Sequence, residues 1–252
     1  MATSRNRLIA LLAPADRARL FSMGQSVDLV LNEVLTERNE RTRHVYFPVT
    51  CFISLIAQLD DHPGIEVGMV GREGMLGVQL ALGVDRTPLR ALVQGPGTAL
   101  RVEAAAFRLA LAASPSMQAG LNRYLYVLMS QLATSASCLR FHLIGPRLAR
   151  WLLMSHDRAG ADRFHVTHEF LAYMLGVRRS GITTAAKLLQ RSGLIMYRRG
   201  ELTVLDRTGL EASACSCYAA DQASYAMALG QINRLSPRSR PPPGSRQGDA
   251  CV

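Results

Sequence analysis

The chain has 252 residues, 48% of them hydrophobic, with a net charge of +10 and a pI near 10.0. That length and apolar content exclude a disordered chain and suit more than one packed core. The cation excess favours a polyanionic partner, nucleic acid or an anionic surface, although Lys187 is the only lysine and an arginine-biased genome would give the same excess. No apolar run approaches the roughly 20 residues a membrane span needs, and the run over residues 8–12 is too short for a signal-peptide core. Cys51, Cys138, Cys215, Cys217 and Cys251 are odd in number and scattered, which suits a reducing, cytoplasmic compartment better than a disulfide framework.

Residues 8–23 read as a short helical lead-in. From about 26 to 103 the pattern is β. Val45-Tyr46-Phe47-Pro48, Cys51-Phe52-Ile53-Ser54-Leu55-Ile56 and Ile65-Glu66-Val67-Gly68-Met69-Val70 are short apolar or alternating runs. Turn signals such as Gly71-Arg72-Glu73-Gly74 and Gly95-Pro96-Gly97 separate them, so the expectation is an antiparallel sandwich or roll. A long helix follows over about 116–141. Leu121, Leu125, Leu128, Leu132, Ser135 and Leu139 recur at steps of 4, 3, 4, 3 and 4, a period near 3.5 that lets two helices coil together. A second stripe, Tyr124, Val127, Gln131, Thr134 and Cys138, is placed to face the chain's own β domain. Gly145-Pro146 breaks this helix, and 147–155 forms another.

The most informative stretch is 164–205. Thr167 is an N-cap, Leu171 and Leu175 share a helix face, and Gly176 stands where a left-handed C-cap is needed. A second helix runs from about Arg179 to Ser192 with apolar positions Ile182, Ala185, Ala186, Leu188 and Leu189. Gly181 in its first turn weakens it by up to ~1 kcal/mol. Gly193 stops it, and two short strands flank Arg198-Arg199-Gly200-Glu201, a basic hairpin. Helix, glycine turn, helix and basic wing is the order a winged helix-turn-helix requires, the first helix bracing the second so that its polar face can enter a major groove. That face carries Arg178, Arg179, Ser180, Thr183, Thr184 and Lys187 and no carboxylate, as a phosphate-lined groove demands. The alternatives are a helical hairpin with a solvated basic face and a ligand- or protein-binding module whose wing docks a protein. No phosphate-binding loop, dinucleotide fingerprint or Gly-x-Ser-x-Gly turn is present, which agrees with a binding protein rather than an enzyme.

Thr167-His168-Glu169-Phe170-Leu171-Ala172, Leu175-Gly176-Val177-Arg178-Arg179 and Leu188-Leu189-Gln190-Arg191-Ser192-Gly193-Leu194-Ile195 resemble the DNA-binding domain of Crp/Fnr-type regulators. The resemblance implies an α+β chain divided into a β-roll sensor (1–110), a dimerisation helix (111–145), a winged domain (146–220) and a flexible tail (221–252), whose last part, 236–252, is rich in Pro, Ser, Arg and Gly. It implies duplex DNA as ligand, a second copy of the chain across Leu121, Leu125, Leu128, Leu132 and Leu139, and RNA polymerase as a further partner. Carried over by position, Arg179, Ser180 and Thr184 touch base edges, and Thr167, Arg178, Lys187 and Arg199 touch phosphates. Cyclic-nucleotide relatives resemble one another in a turn whose acid holds ribose. Here Gly74-Met75-Leu76-Gly77 stands in its place, which argues against cyclic AMP and leaves Glu73, Arg86 and Arg90 as an effector-pocket expectation. No cysteine precedes Cys51, so the N-terminal iron–sulfur ligands of oxygen-sensing relatives are missing. Cys215-Ser216-Cys217 would need further ligands for a metal. The pair His165 and His168 lacks the acid of a metalloprotease helix and reads as structural. No metal or cofactor is assigned.

Overall fold

A computed structural model describes residues 6–60, 62 and 64–230. Its N-terminal half is built from two antiparallel sheets. One has the order β1 (Gly24–Leu29), β7 (Gly97–Glu103), β3 (His44–Pro48). The other has the order β2 (Val34–Thr36), β6 (Leu89–Gly95), β4 (Phe52–Ala57), β5 (Ile65–Val70). The strands β3, β4 and β6 are buried on two faces, which is why they read as apolar runs, whereas the edge strand β1 is largely exposed. Tyr46, Ile53, Leu55, Val70 and Val93 point between the sheets. Val45, Phe47 and Val102 point outward onto α1 (Arg7–Ala10), α2 (Pro14–Met23) and α3 (Ala104–Ala112). On the other sheet Ile56, Met69 and Leu92 point outward onto α5 (Ile144–Ala159). The period-2 alternation thus feeds three cores.

The long helix is α4 (Pro115–Phe141). Ser114 caps it, its side chain accepting from the Met117 amide at 3.2 Å, with Pro115 in the first turn. The expected boundary at 111 therefore falls inside α3, and the helix starts after this cap. Tyr124, Val127, Gln131 and Cys138 are buried, as the second stripe required. Gly145-Pro146 lies inside the first turn of α5, where proline is tolerated.

The C-terminal half contains β8 (Arg163–His165), α6 (His168–Leu175), α7 (Arg179–Arg191), β9 (Ile195–Arg198), β10 (Glu201–Val204) and α8 (Arg207–Ser213). Leu148, Trp151 and Leu152 of α5 meet Leu171, Ile182, Leu189, Ile195, Leu202 and Leu210 in one core. The tail expected from 221 is corrected: α9 (Cys217–Gly230) is helical throughout. It packs along α4, with Ser224 Oγ 3.0 Å from Ser130 Oγ, and reaches the N-terminal core through Leu229. A second anchor is the ion pair of Arg150 with Asp221 at 2.7 Å, both buried. These residues keep enough apolar and paired surface to order the helix, which the composition of 236–252 had obscured. Residues 231–252, including Cys251, lie outside the described part.

Candidate nucleic-acid interface

The first helix of the motif is fixed at both ends by its own sequence. Thr167 Oγ1 accepts from the Phe170 amide at 3.1 Å. At the other end Gly176 is left-handed (φ 61°), and the Val177 amide reaches Ala172 O at 3.0 Å, the double-backed closure that demands glycine. A Cβ at Gly176 would stand 2.6 Å from Ile65 Cδ1, so the turn also sets how closely the motif sits against β5. The second helix starts at Arg179 despite Gly181. The glycine has a packing reason: a Cβ there would lie 2.7 Å from Ile144 Cδ1, so its absence lets α7 approach the start of α5. Ile182, Ala185, Ala186 and Leu189 are buried. Leu188, expected inward, is 56% exposed, because a 3.6-residue turn stacks it above Thr184 rather than Ala185.

His168 joins the three parts of the motif. Its ring stacks on Tyr197 of the wing at 4.4 Å between centroids, and Nδ1 lies 3.1 Å from Thr183 Oγ1 on α7. Burial, with the Arg179 charge adding, holds its pKa below the usual imidazole value. Tyr197 in turn donates to Val166 O at 2.8 Å. The wing closes through Arg199 (φ 52°) and Gly200 (φ 83°), the mirror-image two-residue turn that fits twisted strands.

Outward from this frame stand Thr167, Arg178, Arg179, Ser180, Thr184, Lys187, Arg191, Arg198 and Arg199, all exposed, with Thr183 half-buried. In the sequence Arg198 reads only as part of the basic hairpin and Arg191 only as part of the family-like segment; neither is given a contact role there, although their spacing from Lys187 and Arg199 carries the signal. Among the described residues none of these cations forms an ion pair. The nearby acid of the wing, Glu201, is itself engaged by His165 and Arg163, each at 2.9 Å, and these bonds hold its carboxyl below the usual range. The Thr183 and Thr184 hydroxyls donate to Arg179 O and Ser180 O, at 3.0 and 3.1 Å, leaving oxygen lone pairs to accept from a base amine.

The other expected residues are placed as follows. Leu121 is fully buried in the chain's own core, and Leu125 and Leu128 pack half-buried against it. Leu132 and Leu139 are 38% and 36% exposed, beside exposed Tyr126 and Met129. A straight helix drifts ~20° per heptad against a 3.5 repeat, which carries this stripe from inside to outside along α4. Glu73, Arg86 and Arg90 are each engaged elsewhere. Glu73 pairs with buried Arg158 at 2.8 Å, Arg86 donates to Asn39 O at 2.6 Å, and Arg90 pairs with Glu37 at 3.2 Å. Met75 is fully buried in the N-terminal core.

A cationic helix held outward by a capped brace and a wing has the geometry of a winged helix-turn-helix domain. Residues 146–213 match the Crp-like helix-turn-helix domain family, and the chain as a whole shares its fold with solved regulators described as Crp/Fnr-type. It is similar to a putative regulator of the Crp/Fnr family from Eubacterium rectale, with 16% identity, a TM-score of 0.63, and 83% of this chain and 98% of that chain covered. A Crp-family transcriptional regulator of Thermus thermophilus is 20% identical, with a TM-score of 0.62 over 75% of this chain and 96% of that one. The c-di-GMP-responsive global regulator of Xanthomonas campestris is 16% identical, with a TM-score of 0.61 over 76% and 99%. No curated protein sequence matches the chain. Among the described residues no helix is long and apolar enough to cross a membrane.

Proposed function

We propose that this chain is a cytoplasmic, non-enzymatic regulator that binds an inverted-repeat operator as a homodimer. The observation that carries the reading is the outward face of α7 and the wing, where exposed guanidinium groups and Lys187 stand without carboxylate partners. Two such faces related by two-fold symmetry would enter successive major grooves, with half-sites ~10 bp apart. Arg179, Ser180 and Thr184 read base edges, and Thr167, Arg178, Lys187 and Arg199 hold phosphates. Leu132 and Leu139 supply the exposed part of the dimer seam. The sensor extends to the end of α3 and the winged domain begins at residue 146, with RNA polymerase as the downstream partner. The sensor does not take cyclic AMP, a reading supported by buried Met75 where the ribose-holding acid of cyclic-nucleotide relatives would be.

Selection from random duplexes, followed by gel retardation of variants, tests this. Arg179→Ala should weaken binding to the selected site by ~1–3 kcal/mol and relax one base position. Lys187→Ala should weaken all sequences alike and flatten the salt dependence. Unchanged base preference in Arg179→Ala refutes the groove assignment. Absence of salt-dependent retardation altogether would favour a protein-docking wing.

A further inference from the structure

Four side chains far apart in sequence meet where α4 ends, α5 begins and α9 starts. Cys138 lies in the last turn of α4, and His142 is its C-cap, one turn on along the same side. Cys215 is anchored by its amide to Pro146 O at 3.3 Å, and Cys217 opens α9. The three thiol sulfurs and one imidazole nitrogen all lie within 4.8 Å of one another. All three cysteines are buried and reduced, and His142 is half-buried, giving the group one partly open side.

We propose that Cys138, His142, Cys215 and Cys217 form a tetrahedral zinc site that fastens the hinge between α4 and α5 to the start of α9. Zinc–sulfur bonds of ~2.3 Å and zinc–nitrogen bonds of ~2.0–2.1 Å require a tetrahedron with edges of roughly 3.8 Å between sulfurs and roughly 3.5 Å between sulfur and nitrogen. Cys138 Sγ to Cys215 Sγ is 3.5 Å, and Cys217 Sγ to His142 Nδ1 is 3.5 Å. An iron–sulfur cluster, whose ligands must surround several inorganic atoms, would hold them farther apart. Three cysteines and one histidine are also a donor set of closed, structural zinc sites.

Charge supplies a second argument. Binding releases the three thiol protons to solvent, and three thiolates around a divalent ion carry one net negative charge. Buried Arg147 stands beside the group and, among the described residues, has no carboxylate partner, its guanidinium donating to Leu175 O. A buried cation wants an anion, and the zinc–thiolate group provides it.

The full-length protein, purified under reducing conditions and loaded with zinc, should hold about one ion per chain by elemental analysis. Cobalt(II) in its place should show the intense visible bands of tetrahedral coordination and thiolate-to-metal charge transfer. Cys217→Ser and His142→Ala should lose the ion, and Cys51→Ala should keep it. The proposal is overturned if the folded wild type retains no zinc and takes cobalt only in pale octahedral form. It is equally overturned by a Cys138–Cys215 disulfide in place of the ion, by iron–sulfur absorbance, or by zinc persisting in Cys217→Ser. None of these readouts involves DNA, so the site and the operator-binding reading stand or fall separately.

Discussion

Arg150 on α5 and Asp221 on α9 form an ion pair at 2.7 Å with both side chains largely withdrawn from water. Burial pushes the Asp221 carboxyl above its usual pKa, against the opposing pull of the guanidinium. The pair is therefore costly to bury and more costly to break. Removing one member leaves an uncompensated charge in the interior, a loss of about 3–5 kcal/mol, out of a total stability of roughly 5–15 kcal/mol for a typical domain. Asp221→Ala should accordingly lower the urea midpoint sharply. Trp151, the only tryptophan, neighbours Arg150 and lies in the winged core, so its fluorescence reports the loss directly. Arg150→Met with Asp221→Leu should recover most of the deficit, since an apolar pair of similar volume avoids the desolvation cost. A single-variant loss below ~1 kcal/mol, the range of exposed pairs, would refute the buried-charge reasoning, as would a double variant no more stable than Asp221→Ala.

Two further outcomes are expected. Leu132→Glu should shift the sedimentation profile from dimer to monomer without loss of fold, because Leu132 is exposed whereas Leu128 packs against the chain's own core; an intact dimer would count against the seam. Burial raises Glu66 of β5 from 4.5 to about 7, against a hydrogen bond from Ser54 and the charges of Arg158 and Arg150. Between those values the folded chain keeps a proton that the unfolded chain releases, so stability should fall as pH rises through that window and level off above it. Glu66→Gln should flatten that slope, and an undiminished slope in the variant would assign it to another group.

Local rules made the DNA-facing motif legible. Thr167, Gly176, Gly193 and the Arg199-Gly200 turn each encode a cap or reversal through a side-chain oxygen or a backbone angle, and such signals act over a few residues. The reason for Gly181 was not legible, because it lies at Ile144, on another helix. The α4 stripe was legible as a period but not as a direction, because the drift of a 3.6-residue turn decides which leucines stay with their own core. Cys138 and His142 lie more than seventy positions before Cys215 and Cys217, and only tertiary packing brings them together. The pairing of Glu73 with Arg158, on a distant helix, was likewise not legible from spacing along the chain.

The path of α9 has a mechanical result. The half that carries the winged motif is joined to the N-terminal half by the short link between α4 and α5, by α9, which returns to the N-terminal core at Leu229, and by the packing of α5 on Ile56, Met69 and Leu92. A body held at three places cannot swing freely on a single pivot. A change in the angle between the two halves must therefore peel α9 away or shear α5 over that sheet, so the stiffness of the returning helix limits how far the cationic face of α7 can be turned.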